Sequence, residues 1–248
     1  KSQENTNILH SEHFLTKFSK LFELNTPYSN VETYRGIFSK YKDYENIKSY
    51  FEESAFMSKD IKKSVYESYV FLHKYVINVQ RVGVNMRIHF HYFDTSPFHQ
   101  PKKIDKLIQM IVDISAGFYI IKNEYEMMEF SFYYIPTRFK KKLPKSNKLP
   151  IDSHNVNTGV TFLLKPRHIF IYRQEEAEKV SIHELIHCFD LDMKGSSQQI
   201  NNIISKLFPV CDNQKILICE TYTEFMAVLF FHAYYALNEC QTSNKSLK

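Results

Sequence analysis

The sequence predicts an α+β fold, with a helical N-terminal lobe over residues 1–80 and a second unit over 81–248 built on a small, mostly antiparallel sheet. Three observations lead there. Apolar residues of the first third recur at spacings of three and four, as in Ile61, Val65, Tyr69, Leu72 and Val76. The middle third holds short runs of β-formers, of which Arg87 to Phe93 alternates most clearly. The last third is helical again, and two of its helices are apolar on nearly all sides, the mark of a buried helix.

From about Asn7 to Asn78 the pattern is helical, with breaks at Asn25-Thr26-Pro27 and around Ser58. After Gln80 the period changes. Arg87 to Phe93 reads as a strand, Lys102 to about Ile121 as a helix with Ile104, Leu107, Ile108, Ile111 and Ile114 as its apolar stripe, and Glu129 to Ile135 as a second strand. Gly159 to Leu164 and His168 to Tyr172 are two more short strands around Lys165-Pro166. Helices follow at Glu175 to about Leu191, Gln198 to Phe208 and Ile216 to about Glu239. Histidines 89, 91 and 168 fall on strands, where surface or hydrogen-bonded core positions explain them and nothing ties them to a metal.

At 248 residues, 44% hydrophobic and 24% charged, the chain has the composition of an ordered protein with a sizeable core. Five glycines, no tryptophan, and 17 tyrosines beside 21 phenylalanines resemble the product of an AT-rich genome, so part of the aromatic content is codon bias. The densest charge, from Arg138 through Lys140, Lys141 and Lys142 to Lys148, reads as a solvated loop between strands. A basic run outside a recognised binding fold does not point to nucleic acid. Four cysteines without a Cys-x-x-Cys pair indicate neither a disulfide scaffold nor a zinc knuckle, and Cys188 reads as a small buried apolar group. The longest apolar stretch, Phe225 to Leu237, is too short to cross a bilayer, so no membrane partner is expected. The chain starts at a lysine, which leaves room for a removed upstream segment.

The chemistry is concentrated in His183-Glu184-Leu185-Ile186-His187. Side chains four apart share a helix face, so His183 and His187 present two imidazole nitrogens to one point. Glu184 can reach a water at an open metal position and act as general base, which is the physical content of His-Glu-x-x-His. In a chain of this composition the pattern arises by chance about 0.03 times. Val180, Ile182, Leu185, Ile186, Phe189 and Leu191 surround the polar trio, and burying such a trio is costly unless a cation pairs it.

A third ligand close behind the motif is not available. Met193 stands where some zinc peptidases place a last ligand, and no glycine makes the turn. On a regular helix Asp190 lies about 10 Å along the axis from His183, too far to share an ion, and it is kept as an outer supporting residue. Glu220 and Glu224 are the better pair, four apart at the start of a helix whose continuation must be central. Glu220 is assigned as third ligand and Glu224 as the acceptor that orients a histidine ring, with the reverse assignment open.

His183-Glu184-x-x-His187 followed by Glu220-x-x-x-Glu224 resembles the gluzincin class of zinc metallopeptidases. The form His-Glu-Leu-Ile-His also occurs in clostridial neurotoxin light chains. The wider segment, Asn157-Thr158-Gly159-Val160-Thr161 through Glu175-Glu176 to Phe225, is loosely similar to predicted metallopeptidases of large DNA viruses. The resemblance covers about Asn157 to Ala227. It implies a zincin-like fold, a metal-binding helix with a downstream ligand helix, one Zn2+ and a protein or peptide substrate lying along a strand ahead of the metal helix. It also implies a Tyr, His or Arg opposite the metal, which 17 tyrosines leave unassigned, and a cytoplasmic or virion-associated setting. Two rivals remain: a catalytically silent zincin-fold structural or binding protein, and a nucleic-acid binder using the basic run.

Overall fold

In the computed structural model of the chain, residues 24–192 and 218–246 are described apart from 56, 82, 97–100, 124–125, 143, 145, 147–154, 156 and 164–165; between 192 and 218 only 203 and 205–207 are. The elements are β1 (Ser29–Ile37), a single 3-10 turn, α1 (Tyr44–Glu53), α2 (Lys59–Ser68), β2 (Phe71–Arg81), β3 (Val84–Asp94), α3 (Pro101–Lys122), β4 (Met128–Tyr134), β5 (Gly159–Phe162), β6 (Arg167–Ile171), α4 (Ala177–Cys188) and α5 (Ile218–Ser246). The strands make one open sheet in the order β1-β2-β3-β4-β6-β5. Three pairings are antiparallel; β3–β4 and β4–β6 are parallel. The β3–β4 step needs a crossover, and α3 supplies it.

Each face of the sheet has its own core. Ile88, Phe90, Phe130, Phe132, Ile169 and Ile171 pack under α3, α4 and α5. The alternate residues Phe93, Tyr133, Phe170 and Val160 pack under α1 and α2 with Ile47, Phe51, Ile61 and Val65. The period of two along a strand makes this division, because neighbouring side chains leave by opposite faces. Cover on both faces also explains why β6 (RHIFI) is buried from His168 to Ile171, while β4 (MEFSFYY) keeps Glu129 and Ser131 on one face only.

The helical reading of the first 80 residues is corrected in two places. The residues of α1 and α2 are helical, and Ser58 caps α2 by accepting from the Ile61 amide at 3.4 Å. Ser29–Ile37 and Phe71–Arg81, however, are strands of the same sheet. Leu72 and Val76 fit a helical period as well as a strand, and pairing along β3 from Phe71↔Asp94 to Arg81↔Val84 decides between them. Gly83, at φ +77°, makes the tight hairpin that this pairing requires. The expected boundary at residue 80 falls inside β2. Residues 1–23 and most of the helix expected over 198–208 lie outside the described residues.

A buried carboxylate fastens three distant parts of the chain. Asp113 of α3 accepts from the amides of Thr26 (2.7 Å) and Asn25 (3.2 Å), from Gln109 (3.0 Å) and from the Tyr234 hydroxyl of α5 (3.2 Å). Burial nevertheless pushes its pKa up, against these hydrogen bonds. Among the described residues no helix is long and apolar enough to cross a membrane.

Candidate metal centre

The helix α4 lies on the core under β5 and β6, with Ile182, Leu185, Ile186 and Cys188 at 0–1% exposure. Its remaining face carries Lys179, His183 and His187 toward α5. The sequence-selected residues meet there: Nε2 of His183 and Nε2 of His187 are 3.1 Å apart, and Oε2 of Glu220 is 3.4 Å from the first and 3.7 Å from the second. Behind each ring stands a carboxylate. Glu224 Oε2 is 3.1 Å from His183 Nδ1, and Asp192 Oδ2 is 3.2 Å from His187 Nδ1. An ionised carboxylate only accepts, so both Nδ1 atoms carry hydrogen, and each Nε2, once it has given up its own proton, has a lone pair to offer a cation.

Two lone pairs and a carboxylate oxygen converging on one point suit a cation. Zinc bonds of 2.0–2.1 Å in a tetrahedral site would set its ligand atoms about 3.3–3.4 Å apart. The three observed separations bracket that value, and no other group of three or more such ligand atoms draws this close among the described residues. Two histidines and one half-exposed glutamate are a three-ligand set of the kind that holds zinc with a position left open. Burial disfavours charge on His183, but hydrogen bonds to Glu220 and Glu224 outweigh it and lift its pKa to about 9. The same contacts hold Glu220 far below the usual carboxylate range.

Glu184 lies against the edge strand, within electrostatic reach of His183, His187 and Glu220. Thr161 of β5 donates to its Oε2 at 2.7 Å and to its backbone carbonyl at 3.1 Å. The side chain is buried, and burial raises its pKa against the pull of His183 and the Thr161 hydroxyl. Gly159 makes room for it. A Cβ there would stand 2.8 Å from Ile171 Cδ1 and 3.0 Å from both Cγ and Oε1 of Glu184.

Asp190 takes a different place from the supporting role expected of it. It pairs with Arg167 at 2.6 Å and Lys122 at 3.0 Å, while the other arm of Arg167 caps the Cys188 carbonyl at the end of α4. The helix does not run on: Asp190 turns left-handed, φ 52°, and brings Asp192 back to His187. Sequence reasoning also missed Thr161, which an edge-strand position hints at, and Lys179, one helical turn before His183 and ion-paired with Oε1 of Glu224.

The strand histidines lie on the other face. His89 Nε2 meets Glu129 at 2.6 Å, His91 Nδ1 meets the His89 carbonyl at 3.0 Å, and His168 Nδ1 meets the Tyr133 hydroxyl at 3.1 Å. Burial pushes the pKa of His168 down to about 4.

No protein-family model, curated protein or solved structure matches the chain.

Proposed function

We propose that the chain is a zinc-dependent metallopeptidase of gluzincin type, with His183, His187 and Glu220 as ligands and Glu184 as general base. The convergence of those three side chains, each at an ordinary ligand separation, carries the reading. Zinc held there would polarise a peptide carbonyl and lower the pKa of a water toward neutrality. Glu184 then accepts the proton of the attacking water and returns it to the leaving amine. Burial raises its proton affinity while Thr161 holds one oxygen, which suits a group that must take up and release a proton. Glu224 and Asp192 orient the two rings. The strand β5 is an edge strand beside α4, and an extended peptide can pair with such an edge.

The deciding experiment compares wild type with Glu184→Gln on a mixed peptide library. Zinc content and thermal stability should stay close to wild type while hydrolysis falls by about 10²–10⁴-fold. Undiminished hydrolysis in the variant would assign the activity to another site. Zinc bound without hydrolysis in either protein would favour a structural or binding role.

A further inference from the structure

We propose that Lys179 is a positioning residue of the metal centre: it grips one oxygen of Glu224 and so turns the other onto the ring of His183. The inference rests on the metal-site reading above. Lys179 and His183 are four apart on α4 and stand on one face. Glu224 reaches across from α5 and divides its oxygens between them, Oε1 to the Lys179 ammonium and Oε2 to His183 Nδ1 at 3.1 Å. The Glu224 side chain is 46% exposed, and with one contact it would keep rotamer freedom that the second contact removes. Fixing that carboxylate fixes the ring plane, and with it the direction of the Nε2 lone pair.

Lys179 is held in turn. Glu176 Oε2 lies 3.9 Å from its ammonium, and Lys141 pairs with the same oxygen from the far side. The Lys141 amide also donates to Glu175 at 2.8 Å. Alternating charges therefore run from the basic stretch through Glu176, Lys179 and Glu224 to His183. A lysine serving only the fold would not need the two carboxylate oxygens to be shared out in this way.

The test uses the full chain as wild type, Lys179→Met, Lys179→Arg and Glu176→Gln. Zinc affinity is measured by chelator competition, the site geometry by the visible spectrum of the cobalt(II)-loaded protein, and the fold by thermal unfolding without metal. Lys179→Met should bind zinc about 10-fold more weakly, as expected for loss of outer support, and shift the cobalt spectrum. Lys179→Arg should recover most of the affinity, and Glu176→Gln should fall between. If Lys179→Met does not fold, Glu176→Gln carries the test, because it keeps the lysine and removes its anchor together with the Lys141 pair. Wild-type affinity and an unchanged cobalt spectrum in Lys179→Met, or in Glu176→Gln where it stands alone, would overturn the proposal. So would an arginine variant as weak as the methionine one. A wild-type chain that takes up neither metal would instead defeat the metal-site reading itself.

Discussion

The hydroxyl of Thr161 and the carboxylate of Glu184 are 2.7 Å apart, and this bond joins the edge strand to the residue read as the general base. Replacing Thr161 with valine keeps the shape and removes the donor. A hydrogen bond to a charged group contributes about 1.5–3 kcal/mol, so peptide hydrolysis should fall by roughly 10-fold or more while zinc content is retained. Unchanged kcat/KM would mean that the hydroxyl does not steady the base.

Gly159 should resist even alanine. The added methyl would crowd Ile171 and Glu184, and overpacking of this kind costs about 1–3 kcal/mol. Because Glu184 is the softer neighbour, activity should drop further than stability. Thermal unfolding and hydrolysis measured on the same preparation check the order.

The two glutamates of α5 should differ in kind. Glu220→Ala leaves two protein ligands and should abolish tight zinc binding. Glu224→Ala removes the acceptor behind His183 and should weaken affinity by about 10- to 100-fold. Elemental analysis after dialysis against a weak chelator separates them, and the opposite ranking would exchange their roles.

Asp190 predicts a pH effect on stability. Burial opposes its charge, but Lys122 and Arg167 outweigh it and hold its folded pKa below the unfolded value of about 3.9. The folded state therefore binds fewer protons here, and the stabilisation is full above the unfolded pKa and lost as pH falls through the folded one. Asp190→Asn should lower stability by roughly 1 kcal/mol at pH 7. In denaturant titrations that gap should close in strong acid.

The helix bearing His183 and His187 is legible in the sequence because apolar residues leave a helix only one polar stripe. The long helix starting near Glu220 is legible for the same reason. The strands β3, β4 and β6 can be read from their β-branched and aromatic runs. Two kinds of feature escape such reading. β2 carries residues whose spacing suits helix and strand alike, and only its partner strand decides. Asp192 and Lys179 act through geometry made by a left-handed turn at a non-glycine residue and by the crossing of α5, neither of which leaves a local mark. The same turn sends Asp190 to Arg167 and Lys122.

The carboxylate of Asp113 limits where this chain can be shortened. Two of its donors are amides at positions 25 and 26, and another is the hydroxyl that moors the last helix four turns beyond Glu220. Trimming the chain past residue 26, to isolate the part that carries the His-Glu-x-x-His run, would strip those amides from a group with little access to water. The helix moored there also carries Glu220, so such a fragment would lose its grip on the proposed zinc at a distance. Loss of metal in a shortened chain would then report on this remote anchor rather than on the ligands.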